Sequence, residues 1–176
     1  MTNNNRQLIV NRGFSLLEMV IYVAIMALIM VVVVNTIIVM IFSQKRIENL
    51  RTIEHSAAVA MERLTRELRE ASSIDLGQSI LGSHPGKMVI NVIDENNNPQ
   101  TIEFYLEGQT FVIEESNIGT SSPLIDPGAR VTNLIFYSPT ASSSRAVRIE
   151  MSIEAGQGQF LKSETFYNAV LLRNSN

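Results

Sequence analysis

One carboxylate, Glu18, stands at the start of a long apolar run and has the clearest potential for chemistry in this chain. From Met19 to Val34 the only polar side-chain group is the Tyr22 hydroxyl. An acid inside a membrane helix costs on the order of 2.5–3.5 kcal/mol at the centre and less near an end, so it points to a function. A partner's cationic amine would relieve that cost. At the level of the lipid headgroups, the same carboxylate would merely be hydrated, and this residue alone leaves both interpretations open.

The apolar run is long enough to cross a membrane. As a helix, residues 14–34 would span roughly 31 Å at about 1.5 Å per residue, against a bilayer core of about 30 Å. The run continues through Asn35 and Thr36 to Phe42. Lipid requires each backbone group to bond within its own segment, so we predict a helix despite the many Val and Ile residues. A secretory signal peptide fits less well, because its apolar region is shorter and a small-residue cleavage site follows it.

A short basic leader precedes the run. Residues 1–13 include Arg6 and Arg12 but no acid, and the chain then continues Gly13-Phe14-Ser15-Leu16-Leu17-Glu18. This motif, placed directly before an apolar helix, resembles the type IV pilin and type II secretion pseudopilin superfamily. Its class III signal is recognised by prepilin peptidase. The motif is short but specific, because the spacing of Gly, Phe and Glu and the position of the helix must all agree.

The resemblance implies roles for three residues. Prepilin peptidase would cut between Gly13 and Phe14, the new amine of Phe14 would be N-methylated, and Glu18 would pair with the terminal amine of a neighbouring subunit in a filament. The implied partners are the peptidase, other pilin or pseudopilin subunits, and the membrane. The implied location is the cytoplasmic membrane, crossed once with the N-terminus inside and the head outside, and then the pilus or pseudopilus. Charges near the helix are ambiguous, so this orientation depends on the motif.

Composition limits the other possibilities. A chain of 176 residues suits one domain plus a long helix. With 14 basic and 17 acidic residues, a net charge of −3 and no basic block, nucleic acid is not an expected partner. The absence of cysteine excludes disulfides, thiolate metal sites and thiol nucleophiles.

Other candidate sites are weak. His55 and His84 each lack a second ligand at metal-binding spacing. Residues 82–87 contain Gly-Lys at the wrong spacing for a phosphate loop, and no Gly-x-Ser-x-Gly elbow is present. Residues 94–98 offer oxygen ligands but lack the pattern of a calcium loop, so a hairpin turn is favoured over a calcium site. We therefore expect no metal, no cofactor, no catalytic residue and no enzymatic activity.

Residues 43–73 are predicted to continue the same helix in amphipathic form. Seven-residue steps from Ile47 and from Leu50 give two rows of side chains on one face of the helix. Together they form an apolar stripe that only Glu54 interrupts. We expect this stripe to pack on the chain's own β-rich part, with a coiled-coil partner as the alternative. Arg63 and Glu67 are predicted to form an i,i+4 pair on the outer face.

The C-terminal part has the alternation of a β-domain. Strands are predicted at residues 87–93, 101–106, 110–115, 130–137, 146–155 and 160–173. Turns or loops are predicted at 75–86, 94–99, 107–109, 139–144 and around Pro123. No crossover helix intervenes, so we expect one antiparallel sheet with one face on the helix.

The predicted fold is therefore α+β and pilin-like, with a long N-terminal helix packed on an antiparallel β-sheet head. Its parts are a cleaved leader at 1–13, a transmembrane and filament-core helix at 14–42, an amphipathic continuation at 43–73 and a head at 74–176. Segments 61–71, 131–136 and 146–151 resemble J-type minor pseudopilins and related minor pilins. The expected function is that of a structural minor subunit that joins or primes a type IV pilus or type II secretion pseudopilus. The alternative is a single-pass anchored extracytoplasmic binding module that never polymerises and needs neither Gly13 nor Glu18.

Overall fold

A computed structural model describes residues 13–93, 97–137 and 146–172. Its long helix, α1 (Leu16–Glu70), has 55 residues. The chain divides into two units, Met1–Ser43 and Gln44–Asn176. The first unit holds the apolar half of α1, and the second holds the amphipathic half and all the strands. The second unit, which includes the amphipathic half of α1, is called the head from here on.

The helix is continuous because nothing in its sequence breaks it. No Gly or Pro occurs between Phe14 and Leu76, so no residue lacks the backbone N–H or the conformation that a helix requires. The Thr36 hydroxyl donates to the Val32 carbonyl at 2.8 Å and is satisfied within its own turn. The prediction of one long N-terminal helix is confirmed.

The first sheet of the second unit contains five strands in chain order. They are β1 (Ser73–Ile74), β2 (Met88–Ile93), β3 (Pro99–Glu107), β4 (Thr110–Glu115) and β5 (Ser121–Pro123). Each strand pairs antiparallel with the next. The turn between β3 and β4 contains Gly108 at φ 65°, a left-handed conformation that favours glycine.

The second sheet contains three antiparallel strands in the order β6-β7-β8. They are β6 (Ala129–Tyr137), β7 (Ala146–Ala155) and β8 (Lys162–Leu171). The register shifts between Val131 and Asn133, which places a β-bulge in β6. A short 3₁₀ helix, Gly158–Phe160, precedes β8.

Backbone hydrogen bonds from the loop before β2 join the two sheets. The N–H groups of Gly82 and Gly86 donate to the carbonyls of Phe136 and Leu134 on β6, at 2.8 and 2.9 Å. A Cβ added to Gly86 would come within 3.0 Å of the Leu134 carbonyl oxygen, so this close approach depends on glycine. The loop therefore covers the edge of β6 that β7 leaves unpaired.

The prediction of a single sheet is wrong, because the strands form two. Strand β5 ends on Pro123 and the segment that follows contains Pro127, and proline cannot donate to a ladder. Strand β5 ends at Pro123 after only three residues. Pairing therefore stops there and begins again at β6. The antiparallel arrangement itself is confirmed.

The core of the second unit lies between α1 and the two sheets. From α1 it takes Ile53, Ala57, Ala60, Leu64 and Leu68. The largest fully buried side chains of the strands are Phe104, Phe111 and Phe136. Because these helix side chains are buried in the same core as the strands, the packing on the chain's own head is supported over a coiled-coil partner.

The buried face of α1 agrees with the predicted stripe along one of its two rows. Ala57, Leu64 and Ala71, in the row of Leu50, are at most 2% exposed, so this row is confirmed. Ile47 is 49% exposed and Glu54 is exposed, whereas Met61 is only half-buried. The buried row instead begins at Ile53 and includes the small polar residue Ser56. The row of Ile47 is buried only at Leu68, because packing against the sheets selects the face that also carries Ser56 and Ala60, which the seven-residue pattern did not assign.

The Arg63/Glu67 pair forms, but not on the outer face as predicted. Arg63 Nε lies 2.9 Å from Glu67 Oε1, and Arg63 Nη2 donates to Glu115 Oε1 on β4 at 2.7 Å. The Glu67 side chain is only 9% exposed. A long arginine side chain can reach from the helix flank to a strand, so one guanidinium neutralises two carboxylates at this junction.

The predicted strands agree well with the observed ones where alternation is strong. Strands β4 and β7 have the predicted bounds. Strand β8 is shorter, because residues 158–160 form the 3₁₀ helix. Strands β1 and β5 were not predicted, since two or three residues are too few to show a period. The candidate calcium site at 94–98 lies mostly outside the described ranges. The predicted loop at 139–144 lies wholly outside them.

Candidate processing and assembly site

Gly13 lies just before α1, in a segment without regular structure. The helix is established directly afterwards, since the Ser15 carbonyl accepts the N–H of Met19 at 3.1 Å. A Cβ added to Gly13 would meet no atom within 4 Å. The fold of the described chain therefore does not require glycine here, and a requirement for it would have to come from a partner.

Phe14 is 71% exposed and also precedes the helix. Its ring meets the ring of Tyr22 in a T-shaped arrangement, with centroids 6.3 Å apart and planes at 77°. Edge-to-face pairs of this kind are favourable because the positive ring edge meets the negative ring face. This contact holds the side chain that follows Gly13 against the first two turns of the helix.

Glu18 occupies the first turn of α1 and is half-buried. A negative charge is favourable there, because the free N–H groups at the start of a helix carry partial positive charge. The Tyr22 hydroxyl donates to Glu18 Oε1 at 2.8 Å from one turn further along. The carboxylate is thus held on one face of the helix together with the two aromatic rings.

The apolar half of α1 presents its side chains outward. All large apolar residues between Phe14 and Phe42 are exposed, from 41% to 83%. An apolar surface of this extent is unstable in water, whereas lipid chains or neighbouring helices would solvate it. By length and composition the helix could cross a membrane. A surface apolar on every side can serve both environments.

The two histidines of the head have structural contacts. His55 Nδ1 lies 3.1 Å from Asp126 Oδ2, and His84 Nδ1 accepts the backbone N–H of Leu134 at 3.1 Å. The Ser56 hydroxyl donates to the same Asp126 carboxylate at 3.3 Å and is buried, so it is not paired with His55 as a nucleophile with its base. Across the described ranges, no group of three His, Cys, Asp or Glu side chains is placed to hold a metal ion.

Two features of these sites were not predicted from the sequence. The bond from Tyr22 to Glu18 was missed, although their i,i+4 spacing on a helix is a sufficient signal. The burial of Glu67 was also missed, and here the sequence holds no comparable signal because Glu115 is far away along the chain. The structure brings Gly13, Phe14 and Glu18 together at one end of α1, as their sequence proximity requires.

The motif at the start of α1 matches a known protein-family model. A family model described as the prokaryotic N-terminal methylation motif matches residues 10–34, which include the end of the leader, Gly13 to Glu18 and much of the apolar run. Neither the curated proteins nor the solved structures include a match. The predicted prepilin-type signal, of the kind found in type IV pilins and pseudopilins, is confirmed. With the apolar helix it supports a membrane-anchored, single-pass protein, while the J-type resemblance stays a prediction.

Proposed function

We propose that this chain, which carries a prepilin-type signal on a membrane helix, is a structural minor subunit of a type IV pilus or type II secretion pseudopilus. The observation that carries the proposal is the methylation motif at 10–34, on a helix whose large apolar side chains between Phe14 and Phe42 are all exposed. Such a surface needs partners, and the motif indicates that those partners are other subunits with the same kind of helix.

The first step is cleavage between Gly13 and Phe14 by prepilin peptidase. Gly13 is exposed, lies outside the helix and is not needed by the chain's own packing. A protease requires an extended, accessible backbone at the bond it cuts, and a small residue allows close approach to that backbone. Methylation of the Phe14 amine would follow and would keep its positive charge.

The second step is transfer from membrane to filament. The apolar half of α1 would exchange lipid contacts for contacts with neighbouring helices, so little hydrophobic free energy changes. Direction and register must then come from polar groups. Glu18 is the only charged residue between Gly13 and Ser43, and a neighbour's terminal amine is its proposed counterion.

The head would lie outside the cytoplasmic membrane, with the N-terminus inside. The resemblance of segments 61–71, 131–136 and 146–151 to J-type minor pseudopilins supports a place in a small complex that primes or caps the filament. The described head has no disulfide to stabilise it, and its stability comes from the core between α1 and the two sheets. The proposed partners are therefore the peptidase, the membrane and other pilin or pseudopilin subunits.

Mass spectrometry of the mature N-terminus tests the proposal. We expect a chain that begins at a methylated Phe14, with Gly13→Ala accumulating as uncut precursor and Ser15→Ala as the matched, normally processed control. An intact Met1, or a cut after the apolar run, would contradict the proposal. That result would favour a single-pass anchored extracytoplasmic binding module that does not polymerise.

A further inference from the structure

Tyr22 supplies the only polar side chain between Glu18 and Asn35. Its hydroxyl donates to Glu18 Oε1 at 2.8 Å. Residues four apart on a helix lie on the same face, one turn from each other. Within the described chain, Tyr22 is the one hydrogen-bond donor to the Glu18 side chain, and Glu18 is the only half-buried residue between Gly13 and Glu48.

The ring of Tyr22 makes a second contact, to Phe14. The two rings form the T-shaped pair described above, with centroids 6.3 Å apart. Phe14 precedes α1, so helical hydrogen bonds do not fix its position. A single side chain therefore contacts both the residue that would become the new N-terminus and the acid that would receive a neighbour's amine.

We propose that Tyr22 is a positioning residue for filament assembly, an inference that rests on the function proposed above. Its hydroxyl holds the Glu18 carboxylate in one orientation by occupying Oε1. The other oxygen, Oε2, then accepts the amine of the incoming subunit. The contact with Phe14 keeps the Tyr22 ring in the position from which the hydroxyl can donate.

Glu18 needs a donor from its own helix because this segment would be surrounded by lipid. A carboxylate in lipid has no water to donate to it, and an unrestrained one turns towards the headgroups to find some. A hydroxyl one turn away offers a donor that moves with the helix. A side chain that is already ordered loses less conformational entropy when a partner binds, so the pair is preorganised for the amine.

A second interpretation of Tyr22 makes a different prediction. Tyrosine is common where a membrane helix meets the headgroups, with its hydroxyl turned to water. In that case the hydroxyl would fix the depth of the helix in the membrane and would have no effect on the Glu18 carboxylate. Replacement by phenylalanine distinguishes the two, since it keeps the ring and its contact with Phe14 while removing only the donor.

The assembly experiment compares full-length Tyr22→Phe with the wild type and with Thr36→Val. Thr36→Val is the matched control, because it removes the other hydroxyl of the apolar run, which bonds to its own backbone. We expect Tyr22→Phe to lower the fraction of subunit in sheared filaments about three- to tenfold, the range typical of one side-chain hydrogen bond in a membrane. Membrane levels should not fall, since phenylalanine inserts more readily than tyrosine. Equal incorporation of all three proteins would overturn the proposal, as would equal losses in both variants.

A spectroscopic experiment reads the contact directly. The full chain is labelled with ¹³C at the tyrosine Cζ and placed in lipid vesicles, and the Tyr22 resonance among the 4 tyrosines is the one lost in Tyr22→Phe. We expect this resonance to shift in Glu18→Ala and the other three to stay in place. A Tyr22 resonance unaffected by Glu18→Ala would overturn the proposal.

The two proposals fail in distinguishable ways. If the N-terminus of the wild type is never cut at Phe14, the proposed function fails, whatever Tyr22 does. If the wild type is cut, methylated and incorporated while Tyr22→Phe behaves identically, only the positioning role fails. Processing should be equal in Tyr22→Phe and the wild type, so the mass of the mature N-terminus is measured in both.

Discussion

The two halves of α1 differ in how far their apolar side chains are exposed. In the first unit, every large apolar side chain of the helix is exposed, whereas in the second unit Ile53, Leu64 and Leu68 are at most 1% exposed. The first half is apolar on all sides, and the second is apolar on one side only. An amphipathic helix is satisfied once its stripe is covered, but a helix that is apolar all round needs neighbours everywhere. The apolar stripe of the second half is thus covered within this chain, while the first half needs lipid or other helices.

The least exposed acid in each half of α1 shows the same contrast, since Glu18 is half-buried and Glu67 is buried. In the head, Glu67 has arginine partners from its own chain, with Arg63 Nε at 2.9 Å and Arg66 Nε at 3.5 Å. In the apolar half, Glu18 receives one hydroxyl, from Tyr22. A carboxylate whose counterion lies in the same chain is neutralised within the fold, whereas one that lacks a counterion can select a partner. Substitutions in each half of α1 test this division.

The largest effect is expected for Glu18→Ala. Removal of one partner of a desolvated charge pair costs about 3–5 kcal/mol, so filament incorporation should fall by at least about 100-fold. Membrane insertion should persist, because alanine suits lipid better than glutamate. Quantitative immunoblots of sheared filaments and membranes measure both quantities. Glu54→Ala, which removes an exposed acid of the second half, is the control, and normal incorporation of Glu18→Ala would refute the role of Glu18.

A large effect of a different kind is expected for Leu64→Ala. Leu64 is 1% exposed in the core of the head, and truncation should lower the free energy of unfolding by about 2–5 kcal/mol. Val33→Ala truncates a side chain in the other half and should leave head stability unchanged. Urea denaturation of the full chain in detergent micelles, followed by far-ultraviolet circular dichroism, compares the two. Equal destabilisation would mean that the halves are not independent.

A smaller loss is expected for Glu67→Ala. This variant leaves Arg63 with only Glu115 and removes a nearly buried carboxylate, so the free energy of unfolding should fall by about 1–3 kcal/mol. Glu62→Ala, on the exposed side of the same turn, should change it by less than about 0.5 kcal/mol. The same denaturation assay applies. If both variants were equally harmless, the pairing of Glu67 with Arg63 would contribute no stability.

The smallest effect concerns Tyr105, on β3 of the head. The pKa of Tyr105 is raised above its usual 10.0. The largest cause is the hydrogen bond from its hydroxyl to Glu114 at 2.9 Å, and the second is partial burial. Because the folded pKa is raised, its contribution is present below about pH 10 and is lost as pH rises through the folded value. Tyr105→Phe should cost about 1 kcal/mol at neutral pH and flatten the alkaline loss of stability. Urea midpoints measured from pH 8 to 11 check this, and parallel profiles for both proteins would contradict it.

Sequence reasoning was most successful where the physics is local. The motif from Gly13 to Glu18 and the helix behind it follow from residue order, and β7 shows its strand period over ten residues. It was least successful where contacts are distant along the chain. On the buried face of α1 the predicted row of Leu50, with Ala57 and Leu64, is confirmed. Ser56 was not assigned to this face, because hydrophobicity does not reveal that Ser56 faces the Asp126 loop.

What the sequence alone determined is the apolar half of α1 and its single acid. A backbone in lipid can bond only within itself, so the helix needs no tertiary information, and the spacing of Gly13, Phe14 and Glu18 is linear. What only the tertiary structure decided is the division into two sheets and the pairing of Glu67 with Arg63 beside Glu115. Those choices depend on which surfaces meet when strands far apart in the chain pack on the helix, and packing of that kind leaves no periodic trace in the sequence.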